Sequence, residues 1–325
     1  MPLTAQPAAA VTLEDVRAAA RTLDGVAVRT PLVEVPVLTA RAGVPVALKC
    51  EQLQPIGAFK IRGAYNAISR VAREGGARGV VTQSSGNHGQ AVAFAARAFG
   101  LRAVVVMPAS TPRIKVDGVR RHGGEVVFAG AVRSLEQLQR AEAIARDERL
   151  AMIPPFDHPD VVAGQGTCGL ELLEQCPDVD TVLVPVSGGG LLAGISVAVA
   201  GIKPSVRVVA VEPAGAAKLT AALAAGSPRT LERTESMADG LLTRSIGSFT
   251  FPIIRRVVRE VVQVTEDEIA GAVRFLHREA ALRVEPSGAV TTAAILAGRL
   301  GLSGPTVAVV SGGNVDPDLF HRLAE

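Results

Sequence analysis

Two hydrophobic patterns alternate along this chain. Short Val-rich runs at residues 46–50, 79–83, 101–107, 125–128, 181–186, 206–211 and 306–310 read as strands. Between them, apolar positions recur three and four residues apart, as helices require. Such stretches run from a Thr12 cap to about Leu23, from Ala91 to Phe99, within 108–122, from Leu135 to Asp147, from Gly166 to Cys176 and from Leu191 onward. Two more follow the capping box Thr265-Glu-Asp-Glu268 and the turn Glu285-Pro-Ser-Gly288. A further helix opens near Lys60, with Ile61, Ala64, Ala67 and Ile68 on its apolar stripe. Strands alternating with helices predict an α/β protein with a mostly parallel sheet. Residues 1–11 read as a mobile tail and 213–250 as mostly loop. Pro154-Pro-Phe-Asp-His-Pro159 reads as a rigid connector at a domain boundary.

Composition narrows the class. The 325 residues suffice for one large or two moderate domains. A net charge of +3, 3% aromatics, no Trp and no Lys/Arg-rich run argue against a nucleic-acid partner. Cys50, Cys168 and Cys176 form neither a disulfide pattern nor a C-x-x-C pair, which predicts a reducing, cytoplasmic location. The longest apolar stretch, 191–202, is about 12 residues against the roughly 20 that span a bilayer, so no membrane partner is expected.

Candidate chemistry gathers where strands end, since ligands of open parallel sheets bind beyond the strands' carboxyl ends. Three exits carry glycine and hydroxyl groups: Ser84-Ser-Gly-Asn-His-Gly89, Ser187-Gly-Gly-Gly190 and Ser311-Gly-Gly-Asn314. Glycine is also the ordinary way out of a strand, so the signal lies in the set. The 187–190 loop opens a helix and suits a phosphate; it matches neither a Walker P-loop nor G-x-G-x-x-G. Helix capping by Ser84 or Asn87 and a structurally bonded His88 compete with a carboxylate site at 84–89. Lys60, between Phe59 and Ile61 at a helix start, has a pKa lowered by desolvation and by the helix dipole. That makes it a nucleophile; the competing reading is a surface lysine lying over an apolar patch.

Together these segments resemble pyridoxal-phosphate enzymes of the tryptophan-synthase β fold type, and within them the serine/threonine dehydratases and serine racemases. The matching stretches are Gly57-Ala-Phe-Lys-Ile-Arg-Gly-Ala64, Ser84 to Gln90, Pro155 to Pro159, Ala163-Gly-Gln-Gly-Thr167, Val184 to Leu191 and Val310 to Asp316. The resemblance implies two open, mostly parallel twisted sheets flanked by helices (fold type II). It implies a large domain of residues 1–75 and 158–325, and a small inserted domain of residues 76–157. Lys60 is implied to form the Schiff base with pyridoxal 5'-phosphate and to move the α-proton. Phe59 is implied to pack on the ring, Asn87 to hold the ring hydroxyl and Ser311 the ring nitrogen. Gly188, Gly189, Gly190 and Leu191 are implied to cradle the phosphate, and Ser84, Ser85, Asn87 and His88 to hold the substrate carboxylate. The implied reaction is loss of water from L-serine or L-threonine, giving a 2-oxo acid and ammonia. Ser85 stands where a racemase protonates the opposite face of the α-carbon, so racemisation of serine, or action on another 3-hydroxy amino acid such as hydroxyaspartate, is the alternative. A non-catalytic amino-acid-binding homologue is the remote reading, opposed by Lys60, Asn87 and Ser311.

Two departures from the family pattern matter. Ser187 replaces a frequent fourth glycine of the phosphate loop. Many relatives bind a divalent cation near Glu212, but Lys218 stands at the matching aspartate, so no metal is expected. A homodimer is the expected assembly, and Arg133 is a candidate for the substrate side-chain pocket.

Overall fold

A computed structural model describes residues 10–132 and 135–325; most of the expected N-terminal tail, and Arg133, lie outside them. The described strands are β1 (Leu32–Glu34), β2 (Val46–Cys50), β3 (Gly79–Gln83), β4 (Arg102–Met107), β5 (Glu125–Phe128), β6 (Ala151–Met152), β7 (Thr181–Pro185), β8 (Arg207–Pro213), β9 (Glu260–Val264) and β10 (Thr306–Val310). They form a six-stranded sheet ordered β1-β2-β10-β7-β8-β9 and a four-stranded sheet ordered β5-β4-β3-β6. Every pairing is parallel except β1 with β2.

The helices are α1 (Leu13–Thr22), α2 (Pro36–Ala42), α3 (Lys60–Glu74), α4 (Asn87–Ala98), α5 (Arg113–Arg121), α6 (Leu135–Glu148), α7 (Pro159–Gln175), α8 (Gly190–Ile202), α9 (Lys218–Ala225), α10 (Thr250–Val257), α11 (Glu266–Ala280), α12 (Pro286–Leu296) and α13 (Pro317–Ala324). They cover both faces of the large sheet, so its strands are apolar on both sides, as a parallel sheet requires. Val182, Val184, Val208 and Val307 join one core with α1, α7, α8 and α10. Their alternates Leu183, Val209 and Ala308 join another with α11 and α12. The small sheet follows the same rule: Val80 packs with α3 and α4, and Val81 with α6. The capping boxes at Thr12 and Thr265 are both formed.

Two sequence expectations need correcting. Gly164-Gln-Gly166 precedes no helix; it lies inside α7. A side chain at Gly164 would sit 2.5 Å from the Arg62 carbonyl, and one at Gly194 2.5 Å from Gly166 N. These glycines are where α3, α7 and α8 cross, and close crossing rather than helix breaking explains them. Most of the 213–250 stretch is loop, as expected, with α9 and the turns 214–216 and 239–241 set within it. Finally, α4 starts at Asn87 rather than Ala91, which puts the polar loop itself on the helix N-terminus. No helix among the described residues is long and apolar enough to cross a membrane.

Candidate active site

The parallel register brings the strand exits together. Val310 lies beside Cys50, and β10 also pairs with β7, so the Lys60 loop, the 187–190 loop and the 311–314 loop open on one edge. The Lys60 loop is laced to the last exit. Phe59 N–H donates to Ser311 O (3.1 Å) and Gly313 N–H to Gly57 O (2.9 Å), with a bridge between Ala58 and Gly312. The Asn314 side chain continues this lacing, donating to Ile56 O and to Asn87 Oδ1, both at 2.8 Å. The 84–90 segment is thereby drawn into the same place.

Lys60 is the first residue of α3 and has no acidic residue in its first helical turn. Its ammonium donates to Pro155 O at 2.6 Å and lies 5.2 Å from the centre of the Phe59 ring. Desolvation lowers its pKa to about 8, so the amine gives up its proton far more readily than an exposed lysine, though it is still mostly charged at pH 7. His88 is buried beside it. Burial first, then the Lys60 charge, hold His88 down at about 3 against the pull of its bond to Ile153 O. A carbonyl only accepts, so Nε2 carries the proton of this neutral ring. Nδ1 is therefore a bare acceptor, with no partner among the described residues.

The 187–190 loop ends at the N-terminus of α8, a 13-residue helix. Gly189 has φ of 97°, a conformation few other residues adopt. A side chain at Gly188 would overlap the Phe156 ring, and one at Gly190 would reach 3.1 Å from Phe156 Cα. Thr250 Oγ1–H and Gly247 N–H fix the loop from outside by donating to Gly188 O at 2.8 and 3.1 Å. Ser187 Oγ is 3.0 Å from Thr243 Oγ1, turned to the neighbouring segment. Leu191 is buried in the core behind the loop. Backbone amides of a glycine loop at a helix N-terminus suit a phosphate.

Ser84 Oγ accepts from Gly86 N–H (3.2 Å) and Gly89 N–H (3.0 Å), so the hydroxyl caps the turn into α4. Ser85 and Asn87 are half-buried on the same loop. Ser311 is buried, and among the described residues its hydroxyl makes a long 3.4 Å bond to Ser287 O. A buried amine, an amide cradle at a helix end and a hydroxyl and an amide on the remaining side fit a phosphorylated aldehyde with a polar aromatic ring. They do not explain each other structurally.

The stretch read as a domain boundary, with Ile153 just before it, borders three of these groups. Ile153 O meets His88, Pro155 O meets Lys60, and Phe156 covers the glycine loop. Asp157 accepts from the backbone N–H groups of Ser248, Phe249 and Thr250 at 2.9–3.1 Å, capping α10. Two residues with no assigned role also belong to the site: Glu285, bonded to Asn87, and Asn314.

The Glu212–Lys218 pair, at the carboxyl end of β8, is fully buried. Glu212 accepts from Leu219 N–H, Thr220 N–H and Thr220 Oγ1–H at 2.7–3.0 Å. The Lys218 ammonium donates to Ala216 O at 2.6 Å and stands 3.9 Å from Glu212. Burial lowers the Lys218 pKa to about 8, against the opposing pull of Glu212. The Lys218 ammonium already sets a positive charge beside the Glu212 carboxylate. Treatment with a chelator is expected to leave activity unchanged; loss restored by magnesium or manganese would refute this.

The family model described as "Pyridoxal-phosphate dependent enzyme" matches residues 23–312. An L-threonine ammonia-lyase of Thermotoga maritima is 42% identical over 314 residues, covering 96% of this chain and 78% of the relative. One of Geobacter sulfurreducens is 47% identical over 299 residues, covering 91% and 74%. The structure of maize serine racemase superposes with a TM-score of 0.93 at 36% identity, covering 96% of each chain.

Proposed function

Because the chain belongs to the pyridoxal-phosphate dependent enzymes, we propose that it removes water from L-threonine and L-serine, giving a 2-oxo acid and ammonia. The observation that carries this reading is the Lys60 amine, partly neutral and held at the meeting point of the strand exits. The relatives that share the fold at 42–47% identity and bear the name threonine ammonia-lyase support it.

In this proposal Gly188, Gly189, Gly190 and Leu191 bind the cofactor phosphate with backbone amides at the α8 N-terminus. Phe59 packs on the ring, Asn87 orients the ring hydroxyl and Ser311 meets the ring nitrogen. Bound there, pyridoxal 5'-phosphate supplies an electron sink for the pair left when the α-proton departs. Lys60 anchors the cofactor's aldehyde carbon and, once displaced by the substrate amine, takes the α-proton as a general base. A pKa near 8 suits that task. The hydroxyls of Ser84 and Ser85 and the backbone N–H groups of Asn87 and His88 hold the substrate carboxylate at the start of α4. The His88 Nδ1 lone pair accepts from a substrate donor. The division into a small domain of residues 76–157 and a large one of 1–75 with 158–325, a homodimeric assembly and a cytoplasmic location complete the proposal.

Serine racemisation is the second reading, favoured by Ser85 on the carboxylate loop and by the likeness to maize serine racemase. Incubation with L-serine, L-threonine and L-hydroxyaspartate, assaying 2-oxo acid and D-isomer together, tests both. The expected result is 2-oxo acid from threonine and serine in excess of any D-serine; D-serine in excess overturns the ordering. Replacing Ser85 with Ala is expected to cut D-isomer formation by roughly 10²-fold or more, the usual worth of a positioned proton donor, while elimination persists.

A further inference from the structure

Glu285 is a buried acid of this site, 3% exposed and placed just before α12. It makes no helix-capping bond with its side chain. Its backbone N–H donates to Gly312 O at 3.1 Å, and its Oε1 occupies the space that a side chain at Gly312 would need. Asn87 Nδ2 donates to that Oε1 at 2.6 Å. The Asn87 carbonyl oxygen is occupied by Asn314 Nδ2, whose second bond to Ile56 O fixes it in turn. The chain of donors sets the Asn87 amide one way round, with nitrogen toward Glu285 and oxygen toward Asn314. One Asn87 N–H is left over.

We propose that Glu285 is a positioning residue that serves as a neutral acid: when an anionic ring oxygen of the cofactor docks on the remaining Asn87 N–H, Glu285 takes a proton from solvent. The proposal rests on the cofactor reading above and extends it to a residue that touches the cofactor only through Asn87. A carboxylate and a ring oxygen anion would otherwise share one amide in a desolvated place, and like charges so placed do not both ionise. The surroundings favour the neutral form. Burial and then the Asp239 carboxylate push Glu285 up to about 7, against Lys115 and the Asn87 bond, which pull it down. Asp239 on the 239–241 turn and Lys115 on α5 are the charged groups facing it, and they pair with each other.

The sign follows. In the empty protein Glu285 ionises near 7, and a docked anion raises that value. Cofactor binding therefore takes up a proton, and affinity falls as pH rises through and above 7, by at most about tenfold per pH unit. Equilibrium dialysis of pyridoxal 5'-phosphate against the wild-type protein and Glu285→Gln across that range tests it. Lys60 titrates in both proteins, so the difference between their slopes reports Glu285. The expected result is an affinity that weakens about fivefold more steeply in the wild type; equal slopes overturn the proposal. Infrared titration of the wild type needs no variant. A protonated-carboxyl band lost near neutral pH in the empty protein is expected to persist to higher pH with cofactor, and a band unmoved by cofactor overturns the proposal. If neither protein binds pyridoxal 5'-phosphate, the cofactor reading itself falls and this proposal with it.

Discussion

Replacing Lys60 with Ala is expected to abolish both the visible absorbance of the bound cofactor and turnover. Three features concentrate the chemistry on this amine. It is fixed by Pro155 O at 2.6 Å, it lies close to the Phe59 ring, and desolvation leaves it partly neutral near neutral pH. A positioned base contributes roughly 10²–10⁴-fold to a proton transfer, and loss of the covalent anchor adds to that. Production of 2-oxo acid from L-threonine should therefore fall by at least about 10³-fold, with the fold intact by circular dichroism. Borohydride should leave a pyridoxyl adduct on residue 60 of the wild type alone. A variant that stays coloured and keeps turnover within about tenfold would remove the basis of the proposed function.

The second large effect concerns stability. Replacing Arg62 with Met is expected to cost roughly 3–5 kcal/mol, because it leaves a buried charge without its partner. Arg62 is 1% exposed and forks onto Glu51, itself 0% exposed, at 2.8 Å from both nitrogens. Its other bonds reach Glu171 at 2.7 and 2.8 Å and Thr167 at 3.0 Å. Burial alone would push the Glu51 carboxyl up, but the guanidinium overcomes this and holds it below the usual range. That contribution is present above the unfolded carboxyl pKa and is lost as pH falls through the lowered folded value. Thermal and urea midpoints should drop clearly in Arg62→Met, and adding Glu51→Gln should recover part of the loss. A change within about 1 kcal/mol would show that the network contributes little. Arg62 sits two residues after Lys60 on α3, so the network also anchors the helix that carries the amine.

Much of this site was legible because its parts sit at strand exits. Runs such as Thr181-Val-Leu-Val and Thr306-Val-Ala-Val-Val are apolar on both faces, and their ends announce themselves with glycine. Glu285 gave no such signal. An acid before a proline at a helix start looks like an ordinary exposed cap, and only tertiary packing buries it against Gly312. The 154–159 connector hid its place at the site for a related reason. Prolines mark a chain that changes direction, yet they do not reveal that the carbonyls of Pro155 and the preceding Ile153 face Lys60 and His88. Short elements with weak periodicity also escaped: α2 is seven residues long, and β9 interleaves Glu and Gln with Val.

Asn314 reaches Ile56 across 258 residues of sequence, and the strand leading to it pairs directly with β2. During synthesis, the amine at position 60 is made early but acquires its surroundings only after the far end of the chain has emerged. Loop closure over such a span is entropically costly and comes late. A chain ending before residue 306 would therefore carry Lys60 without β10 and Asn314, the frame that restrains its loop.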